Sequence, residues 1–187
     1  MDLDTFYVSV ERLQDNRLLG MPVLLGGVGD RGVVASCSYE ARAFGVHSGM
    51  SMKMARQLCP EGIVVKGESG TYSKYSKMVT EIIREDVPVL EKSSIDEFYL
   101  DLTGMDKFFG CYKLASHIRE RIVKETGLPI SFGMSINKTV SKIATGEAKP
   151  NNQLNIDLGL EKPFLAPLPV GKIPMIGKKT AFMLSRM

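Results

Sequence analysis

The sequence predicts an α+β protein whose centre is a βαββαβ-like sheet covered by helices on one face. Short apolar runs bounded by glycine or proline alternate with longer stretches in which apolar residues recur every three to four positions. From Tyr72 onward these segments follow in the order helix, strand, strand, helix, strand, helix, strand. One more short strand, at Met1–Asp4, begins the chain and completes the βαββαβ order.

The first part of the chain contains short elements. Phe6, Val10 and Leu13 lie on one face of a predicted helix over Phe6–Leu13. Further strands and helices are expected, in chain order, at Met21–Leu25, Gly32–Ser36, Tyr39–Phe44, Met52–Leu58 and Gly62–Lys66. Residues 6 to 68 therefore read as an insertion between the first strand and the rest of the sheet.

The second part of the chain carries most of the sheet. The predicted elements are a helix at Tyr72–Arg84, strands at Val89–Lys92 and Ile95–Leu102, a helix at Tyr112–Lys124, a strand at Ile130–Ile136, a helix at Thr139–Glu147 and a strand at Leu154–Asp157. The two strands after Pro88 suit a hairpin. In this ferredoxin-like order the start of the chain lies beside Asp96, because ends of neighbouring strands meet at one rim. The proline-dense segment Lys162–Pro169 predicts a linker or boundary.

Composition excludes several classes of protein. The 187 residues are 44% hydrophobic, which suits one domain or two small ones sharing a core. Cys37, Cys59 and Cys111 form no CxxC pair, so we expect small buried thiols and neither a zinc site nor a disulfide framework. No stretch reaches the roughly 20 apolar residues of a membrane span, and no signal pattern begins the chain. We expect a cytosolic, bacterial protein.

Positive charge is concentrated near the end of the chain. From Asn137 onward there are eight lysines and arginines but three acidic residues, whereas the rest of the chain is slightly acidic. Such a segment suits contact with a phosphate backbone, although a solvated helix face would give the same count.

Two pairs of acidic residues stand in segments predicted as strands. Asp2 and Asp4 lie in the opening MDLD, and Asp96 and Glu97 begin the run IDEFYLDL. Strands disfavour such residues, and acids gathered at one rim would repel each other unless cations lay between them. Mg²⁺ takes a few carboxylates and completes its shell with phosphates and water. The alternative is that Asp96 caps a turn while Glu97 faces solvent.

Four motifs resemble consecutive signatures of the Y-family of translesion DNA polymerases, the DNA polymerase IV or DinB type. They are MDLDTFYVSVE, RGVVASCSYEARAFGV, SSIDEFYLDLTG and SFGMSINKTVSKIATGEAKPN, in the same order along almost the whole chain. The resemblance implies a catalytic palm at residues 1 to 5 and 69 to 157. It also implies a small α/β fingers insertion at residues 6 to 68 and the start of a helical helix-hairpin-helix thumb at 158 to 187.

The resemblance implies which residues hold metal. Asp2, Asp96 and Glu97 match the catalytic, metal-binding carboxylates, and Leu3 would add its backbone carbonyl. Two Mg²⁺ ions would then assist attack of a primer 3′-hydroxyl on the α-phosphate of a bound deoxynucleotide. Asp4 alternates away from Asp2 along the strand, so a structural part is expected for it.

Nucleotide contacts follow from the same motifs. Tyr7 matches the steric gate under the deoxyribose, where a ring leaves no room for a 2′-hydroxyl. The matched triphosphate contacts are Ser36, Tyr39, Arg42 and Lys149. Each of these residues also has a purely structural interpretation: Tyr7 as a core aromatic, Arg42 as a surface arginine and Lys149 as a solvated turn residue.

Partners are also implied. The segment IPMIGKKT resembles the family's hairpin, in which Gly177, Lys178 and Lys179 would contact a DNA phosphate. The expected partners are primer-template DNA, a deoxynucleoside triphosphate and, through an absent C-terminal region, a sliding clamp. In the alternative reading, Gly177 only ends a helix and the lysines stay in water.

The sequence departs from the family pattern at both ends. Relatives usually have several residues of strand before the first metal-binding aspartate, which here is residue 2. The chain stops at Met187 inside the expected thumb, and the little-finger domain is missing, so we expect a fragment. A catalytically silent palm and fingers module therefore stays open as an alternative. A palm-like nucleotide cyclase would share the sheet and metals but lacks the SYEAR motif.

Overall fold

The computed structural model describes residues 1–107 and 110–186. Its strands are β1 (Asp2–Leu3), β2 (Val23–Gly26), β3 (Val34–Cys37), β4 (Ile63–Val65), β5 (Val89–Lys92), β6 (Phe98–Asp101), β7 (Ile130–Met134) and β8 (Gln153–Asn155). Its α-helices are α1 (Phe6–Gln14), α2 (Tyr39–Ala43), α3 (Met52–Leu58), α4 (Ser69–Asp86), α5 (Cys111–Thr126), α6 (Lys138–Ala148), α7 (Glu161–Leu165) and α8 (Lys178–Leu184). The α+β prediction is confirmed.

The chain divides into two compact units whose segments interleave. One of them, which we call the hairpin unit, is formed by Met1–Asp2, Ile82–Glu125 and Ile130–Met187, of which Met187 is outside the described residues. We call the insertion unit the one formed by Leu3–Glu81 and Thr126–Pro129.

The insertion unit is built on a three-stranded sheet in the order β3-β2-β4. β2 pairs antiparallel with β3 and parallel with β4. Because β2 is central, all three of its leading residues are buried. The helices α2 and α3 cover this strand with a core of Leu24, Val34, Cys37, Ala41, Val46, Met50, Met52, Ala55 and Cys59.

The hairpin unit contains the predicted pair of antiparallel strands. β5 and β6 pair antiparallel with Leu90 opposite Leu100, which confirms that prediction. A second sheet has the order β1-β7-β8, with β7 and β8 parallel. The expected single sheet is thus divided into two pieces, linked by an isolated antiparallel bridge between Asp2 and Glu97. The physical reason is the length of β1, since two residues form only one bridge to β6.

Helix α6 packs directly on β7 at Gly133. A Cβ at Gly133 would lie 2.5 Å from Ala144 Cβ, from the Ser141 carbonyl oxygen and from the Thr145 nitrogen. Thr145 Oγ1 accepts a hydrogen bond of 2.7 Å from the Gly133 N–H. Because Gly133 has no side chain, α6 can approach β7 closely. This approach matters for the site, since α6 brings lysines to Asp2 and Glu97.

The prediction of a linker at Lys162–Pro169 is wrong in its first half. Helix α7 begins at Glu161, and Pro163 is tolerated because the first turn of a helix needs no intrahelical N–H donor. Phe164 and Leu165 pack against the core around Val140 and Ala144. Burial of these side chains explains why helix prevails over the proline signal.

The three cysteines differ in exposure. Cys37 and Cys59 are buried, Cys111 is half-buried, and all three are free thiols. Within residues 1–107 and 110–186, no helix is both long and apolar enough to cross a membrane.

Candidate active site

Three acidic side chains come together at one end of β1 and β6. Asp2 lies opposite Glu97 in the antiparallel bridge, and Asp96 is the next residue. The pairing continues at Met1, whose amino group donates to the Phe98 carbonyl oxygen at 2.8 Å while the Phe98 N–H donates to the Met1 carbonyl at 2.9 Å. The fold thus joins the first residues of the chain to the IDEF motif, as predicted.

An irregular segment before β6 allows the side chains of Asp96 and Glu97 to lie on the same side although the two residues are consecutive. β6 begins only at Phe98. The Ser93 N–H donates to the Glu97 carbonyl at 3.0 Å, and Ser94 Oγ donates to Asp96 Oδ1 at 2.6 Å. Because the strict alternation of a strand does not yet hold here, neighbouring side chains need not point to opposite faces.

Two lysines bind these carboxylates. Lys149, at the C-terminal end of α6, donates to Asp2 Oδ1, and Lys142 donates to Glu97 Oε1 at 2.5 Å. All four side chains are partly buried, with exposed fractions between 21% and 36%. Asp2 and Glu97 are therefore each paired with a cation of the same unit, whereas Asp96 accepts a hydrogen bond from Ser94.

Burial and mutual repulsion shift the pKa values of the cluster. Burial raises the pKa of Asp2, and the charges of Asp96 and Glu97 raise it further, against the opposing effect of Lys149. Burial lowers the pKa of the Met1 amino group to about 6. Burial also acts to lower the pKa of Lys142, but its hydrogen bond to Glu97 and the charge of Glu97 outweigh it, so this pKa is raised. Burial is thus the main cause of the raised pKa of Asp2.

The acidic cluster fits a divalent cation chemically, although it is not arranged as a finished metal site. Among the described residues, no three histidine, cysteine, aspartate or glutamate side chains form a ready ligand set. The carboxylates that would supply oxygen ligands are instead bonded to lysine or serine. Their repulsion at Asp2 is the property that a divalent cation would relieve. Leu3, whose carbonyl was also predicted as a ligand, is 1% exposed.

The insertion unit holds four of the predicted nucleotide contacts. Ser36 is buried in β3 opposite Leu25, and Tyr39 begins α2 after the N-cap Ser38. The Arg42 guanidinium lies 5.2 Å from the centre of the Tyr39 ring, one helical turn along. The structure therefore brings Tyr39 and Arg42 together.

Tyr7 is held by an aromatic cluster that the sequence patterns did not indicate. Its ring lies 4.5 Å from that of Tyr72 and 5.5 Å from that of Phe6. Tyr72 is 6% exposed and donates a 2.5 Å hydrogen bond to Glu11 Oε1. Burial and this bond to Glu11 both raise the pKa of Tyr72. Periodicity placed Tyr72 only on a helix, and nothing in it specified a contact with a residue far away in the sequence.

Lys142 is the other residue that sequence reasoning missed. Seven positions separate it from Lys149, close to two helical turns, so both lysines lie on one face of α6. That spacing is a signal that could have identified it. Asp4, expected to be structural, is 1% exposed, and its backbone N–H donates to the Pro129 carbonyl oxygen.

The predicted DNA contacts lie at the start of α8. Gly177 is the N-cap residue of this helix, and Lys178 and Lys179 form its first turn. Both lysines are exposed. The turn before them contains Met175 at φ 68°, and its side chain is also exposed.

Comparison with known proteins gives the family. The model of the IMS family, described as the impB/mucB/samB family, matches residues 1–146. This chain therefore belongs to the impB/mucB/samB family, and the predicted Y-family resemblance is confirmed.

Relatives carry the name DNA polymerase IV. The chain is 42% identical over 181 residues to DNA polymerase IV of Treponema denticola, covering 96% of this chain and 46% of the relative. It is 44% identical over 186 residues to DNA polymerase IV of Dehalococcoides mccartyi, covering 98% and 48%. The chain spans about half the length of these relatives.

Solved structures agree with this assignment. The crystal structure of DinB from Sulfolobus solfataricus matches with a TM-score of 0.93 and 31% identity, over 99% of this chain and 55% of that one. The insertion ternary complex of Dbh DNA polymerase matches with a TM-score of 0.91 and 30% identity, over 99% and 56%.

Proposed function

We propose that this chain carries the palm and fingers of a template-directed DNA polymerase that acts in DNA damage tolerance. The observation that carries the proposal is the pairing of Asp2 with Glu97 beside Asp96, in a fold matching DNA polymerase structures at TM-scores above 0.9. The reaction would transfer a nucleotidyl group from a deoxynucleoside triphosphate to a primer 3′-hydroxyl, with pyrophosphate leaving. The domain division proposed is palm at residues 1 to 5 and 69 to 157, fingers at 6 to 68 and thumb from 158.

Asp2, Asp96 and Glu97 are proposed to hold two Mg²⁺ ions together with the Leu3 carbonyl. When bound, magnesium would activate the attacking hydroxyl and neutralise charge on the phosphates. The lysines on Asp2 and Glu97 keep the acids compensated beforehand. Lys149 would exchange its bond to Asp2 for one to the triphosphate, which places a cation where charge develops.

The insertion unit is proposed to bind the incoming nucleotide. Arg42 offers a forked donor to phosphate oxygens, while Ser36 and Tyr39 add hydroxyl groups. Tyr7, fixed by the Tyr72 ring, would exclude a 2′-hydroxyl. Tyr7→Ala should therefore admit ribonucleotides, and unchanged sugar selection in that variant would remove Tyr7 from this role.

The partners proposed are primer-template DNA and a deoxynucleoside triphosphate. Support comes from relatives named DNA polymerase IV and from a neighbour described as a ternary complex. Gly177, Lys178 and Lys179 would contact the DNA backbone. A sliding clamp is proposed as a partner of a longer protein, through residues outside this chain.

Primer extension with Mg²⁺, four deoxynucleotides and primer-template at low salt tests the function, run on this chain and on a full-length relative. Asp96→Ala and Glu97→Ala should abolish extension without unfolding the protein. Asp101→Asn is the matched control, because Asp101 is exposed and its Oδ1 accepts from the Thr103 N–H at the far end of β6. Full extension by Glu97→Ala would refute the assignment of the carboxylates.

A silent palm and fingers module is the second candidate. The observation favouring it is that these 187 residues span about half the length of the relatives, so a polypeptide of these residues alone would lack any phosphate contacts that the other half makes. Mg²⁺ or Mn²⁺ titration by calorimetry separates the two candidates. Metal binding that depends on Asp96 without primer extension indicates the silent module, whereas metal binding together with extension indicates the polymerase.

A further inference from the structure

Helix α5 holds the loop that follows Lys149. Three of its polar side chains lie on one face, because Tyr112, Ser116 and Arg119 are separated by four and three positions. All three bond to the loop between α6 and β8 or to the first residue of β8. We call these three side chains the α5 clasp.

Arg119 is the member of the α5 clasp that reaches the loop itself. Its Nη2 donates to the backbone carbonyl of Asn151 and also to Asn151 Oδ1, the latter at 2.7 Å. Its Nε donates to the Ile130 carbonyl oxygen at 3.0 Å, at the start of β7. One guanidinium therefore joins α5, β7 and the loop at a fixed spacing. The planar fork of arginine permits this, whereas the single ammonium group of lysine does not.

The other two members of the α5 clasp fix the point at which β8 begins. Gln153 Nε2 donates to the Tyr112 hydroxyl at 2.9 Å and to Ser116 Oγ at 2.7 Å. Gln153 is also paired with Phe132 of β7. Because the far end of the loop is anchored in this way, the bonds from Arg119 determine the path of the residues before it.

Lys149 stands where that path leaves α6. It is the C-cap residue of the helix, with extended backbone at φ −62° and ψ 143°. Two residues later Asn151 has φ 44°, in the left-handed region that residues other than glycine seldom adopt. Such backbone persists where the surrounding structure holds it, and the bonds from Arg119 provide that support. They thereby limit the directions in which the Lys149 side chain can leave the helix.

The position of Lys149 matters because its amine has a specific partner. Lys149 Nζ donates to Asp2 Oδ1, and its side chain is only 22% exposed. A lysine has a flexible four-carbon stem, so a fixed backbone lowers the conformational entropy that is lost in each bond it makes. In the proposed function the same amine moves from Asp2 to the triphosphate, so both bonds depend on where α6 ends.

We propose that Arg119 is a positioning residue for Lys149. By holding Asn151 against α5 and β7, it keeps the end of α6 in the conformation from which the Lys149 amine reaches Asp2. The pairing with Asp2 stands by itself, whereas the bond of Lys149 to a triphosphate rests on the proposed function. Arg119 acts on the reaction only through Lys149.

Acylation of Lys149 tests this positioning without any assay of activity. The probe is the N-hydroxysuccinimide ester of acetic acid at limiting concentration, and peptide mass spectrometry gives the rate at each lysine. Arg119→Gln should accelerate acylation of Lys149 about fivefold, the factor that corresponds to loss of a partly exposed ion pair. Lys142, which bonds to Glu97 from the same helix, should react at an unchanged rate.

Arg121→Gln is the matched control. Arg121 also lies on α5, but its guanidinium bonds to three acidic side chains of α4 and α5 and not to the loop. This variant loses the same charge from the same helix, so it reports general loosening of α5. It should leave acylation of Lys149 unchanged. Equal acceleration in Arg121→Gln and Arg119→Gln would overturn the proposal.

Asn151→Gly provides a second test if Arg119→Gln does not fold. Glycine adopts the left-handed backbone readily but removes the Oδ1 acceptor of Arg119. Acylation of Lys149 should therefore become faster in this variant too, although less than in Arg119→Gln because the bond to the backbone carbonyl remains. An unchanged rate would overturn the proposal.

Nucleotide affinity connects the positioning to the proposed function. In calorimetric titration with dATP and Mg²⁺, Lys149→Met should raise the dissociation constant about tenfold, the loss expected for a charge-assisted hydrogen bond to phosphate. Arg119→Gln should raise it by a similar or smaller factor, and should have no further effect in a chain that already carries Lys149→Met. Additive effects of the two substitutions would mean that Arg119 acts independently of Lys149, which overturns the proposal.

The two measurements separate failure of this inference from failure of the proposed function. Unchanged acylation of Lys149 in Arg119→Gln overturns the inference, even where Lys149→Met weakens the binding of dATP. Faster acylation together with unchanged dATP affinity in both variants supports the positioning by Arg119 and overturns the triphosphate role of Lys149.

Discussion

Asp2 and Glu97 lie opposite each other in an antiparallel bridge, and each carboxylate is bonded to a lysine of the α6 segment. The two acids would repel each other at this separation, and the lysines compensate them. A divalent cation at the cluster must therefore compete with cations that belong to the chain itself. This competition can be measured.

Replacing Lys142 by methionine should tighten Mg²⁺ or Mn²⁺ binding. Lys142→Met keeps the length of the side chain but frees Glu97, so we expect the dissociation constant to fall roughly tenfold, about 1.4 kcal/mol. Calorimetric titration of the metal measures it. Lys138→Met is the control with the same change in net charge, since Lys138 pairs with Glu91 at the surface. Equal tightening in both variants would mean that net charge alone is responsible.

The amino group of Met1 should make stability depend on pH. Its pKa is about 8 in an unfolded chain and is lowered to about 6 by burial, so between these values the unfolded chain binds more protons. Stability should therefore rise as pH increases from 6 to 8, by on the order of 2 to 3 kcal/mol. Urea unfolding at several pH values measures this. The N-acetylated chain retains all other titrating groups, and an equally steep profile in it would contradict the assignment.

Gly133→Ala should destabilise the fold strongly. The new methyl group would meet two backbone atoms and Ala144 Cβ at 2.5 Å, so α6 must move away from β7. We expect a loss of about 2 to 3 kcal/mol in the free energy of unfolding. Gly146→Ala, on an open face of α6, should instead gain up to about 1 kcal/mol from helix propensity. Denaturant unfolding of both variants measures these changes. An unchanged free energy of unfolding in Gly133→Ala would show that α6 can shift freely.

Arg12→Lys should weaken the insertion unit. The Arg12 guanidinium donates to the carbonyls of Leu18 and Met21 and to Glu40, and its side chain is 17% exposed. Lysine cannot reproduce this fork, so about 2 kcal/mol of stability should be lost. Arg17→Lys is the control because the Arg17 side chain is 90% exposed. Similar shifts of the unfolding midpoint in both variants would refute a special role for Arg12.

Local patterns predicted most elements of the fold, because periodicity reflects burial within one segment. The hairpin of β5 and β6 and helices such as α3 appear where expected. The divided sheet was not predictable in the same way, since β1 is too short to pair along both neighbours. Helix α7 was missed because burial of Phe164 and Leu165 is a tertiary effect that outweighs a local proline signal.

In the candidate site, too, contacts between distant segments could not be predicted from local sequence patterns. The sequence predicts that Asp2, Asp96 and Glu97 meet, because acidic residues are unfavourable in strands and the predicted strand order brings these three to one rim. The fold brings them together. The lysines on these acids and the Tyr72 ring on Tyr7 depend on contacts between distant segments. No periodic pattern encodes which lysine reaches which acid.

The interleaved path of the chain has a consequence for synthesis on the ribosome. Met1 and Asp2 belong to a unit whose remaining segments begin at Ile82 and, after Pro129, at Ile130. At translation speeds of about 5 to 20 residues per second, β1 waits on the order of 10 s before β7 has been synthesised. During that time Asp2 and Leu3 have no sheet to join. Strand β1 is thus synthesised well before the strands with which it pairs.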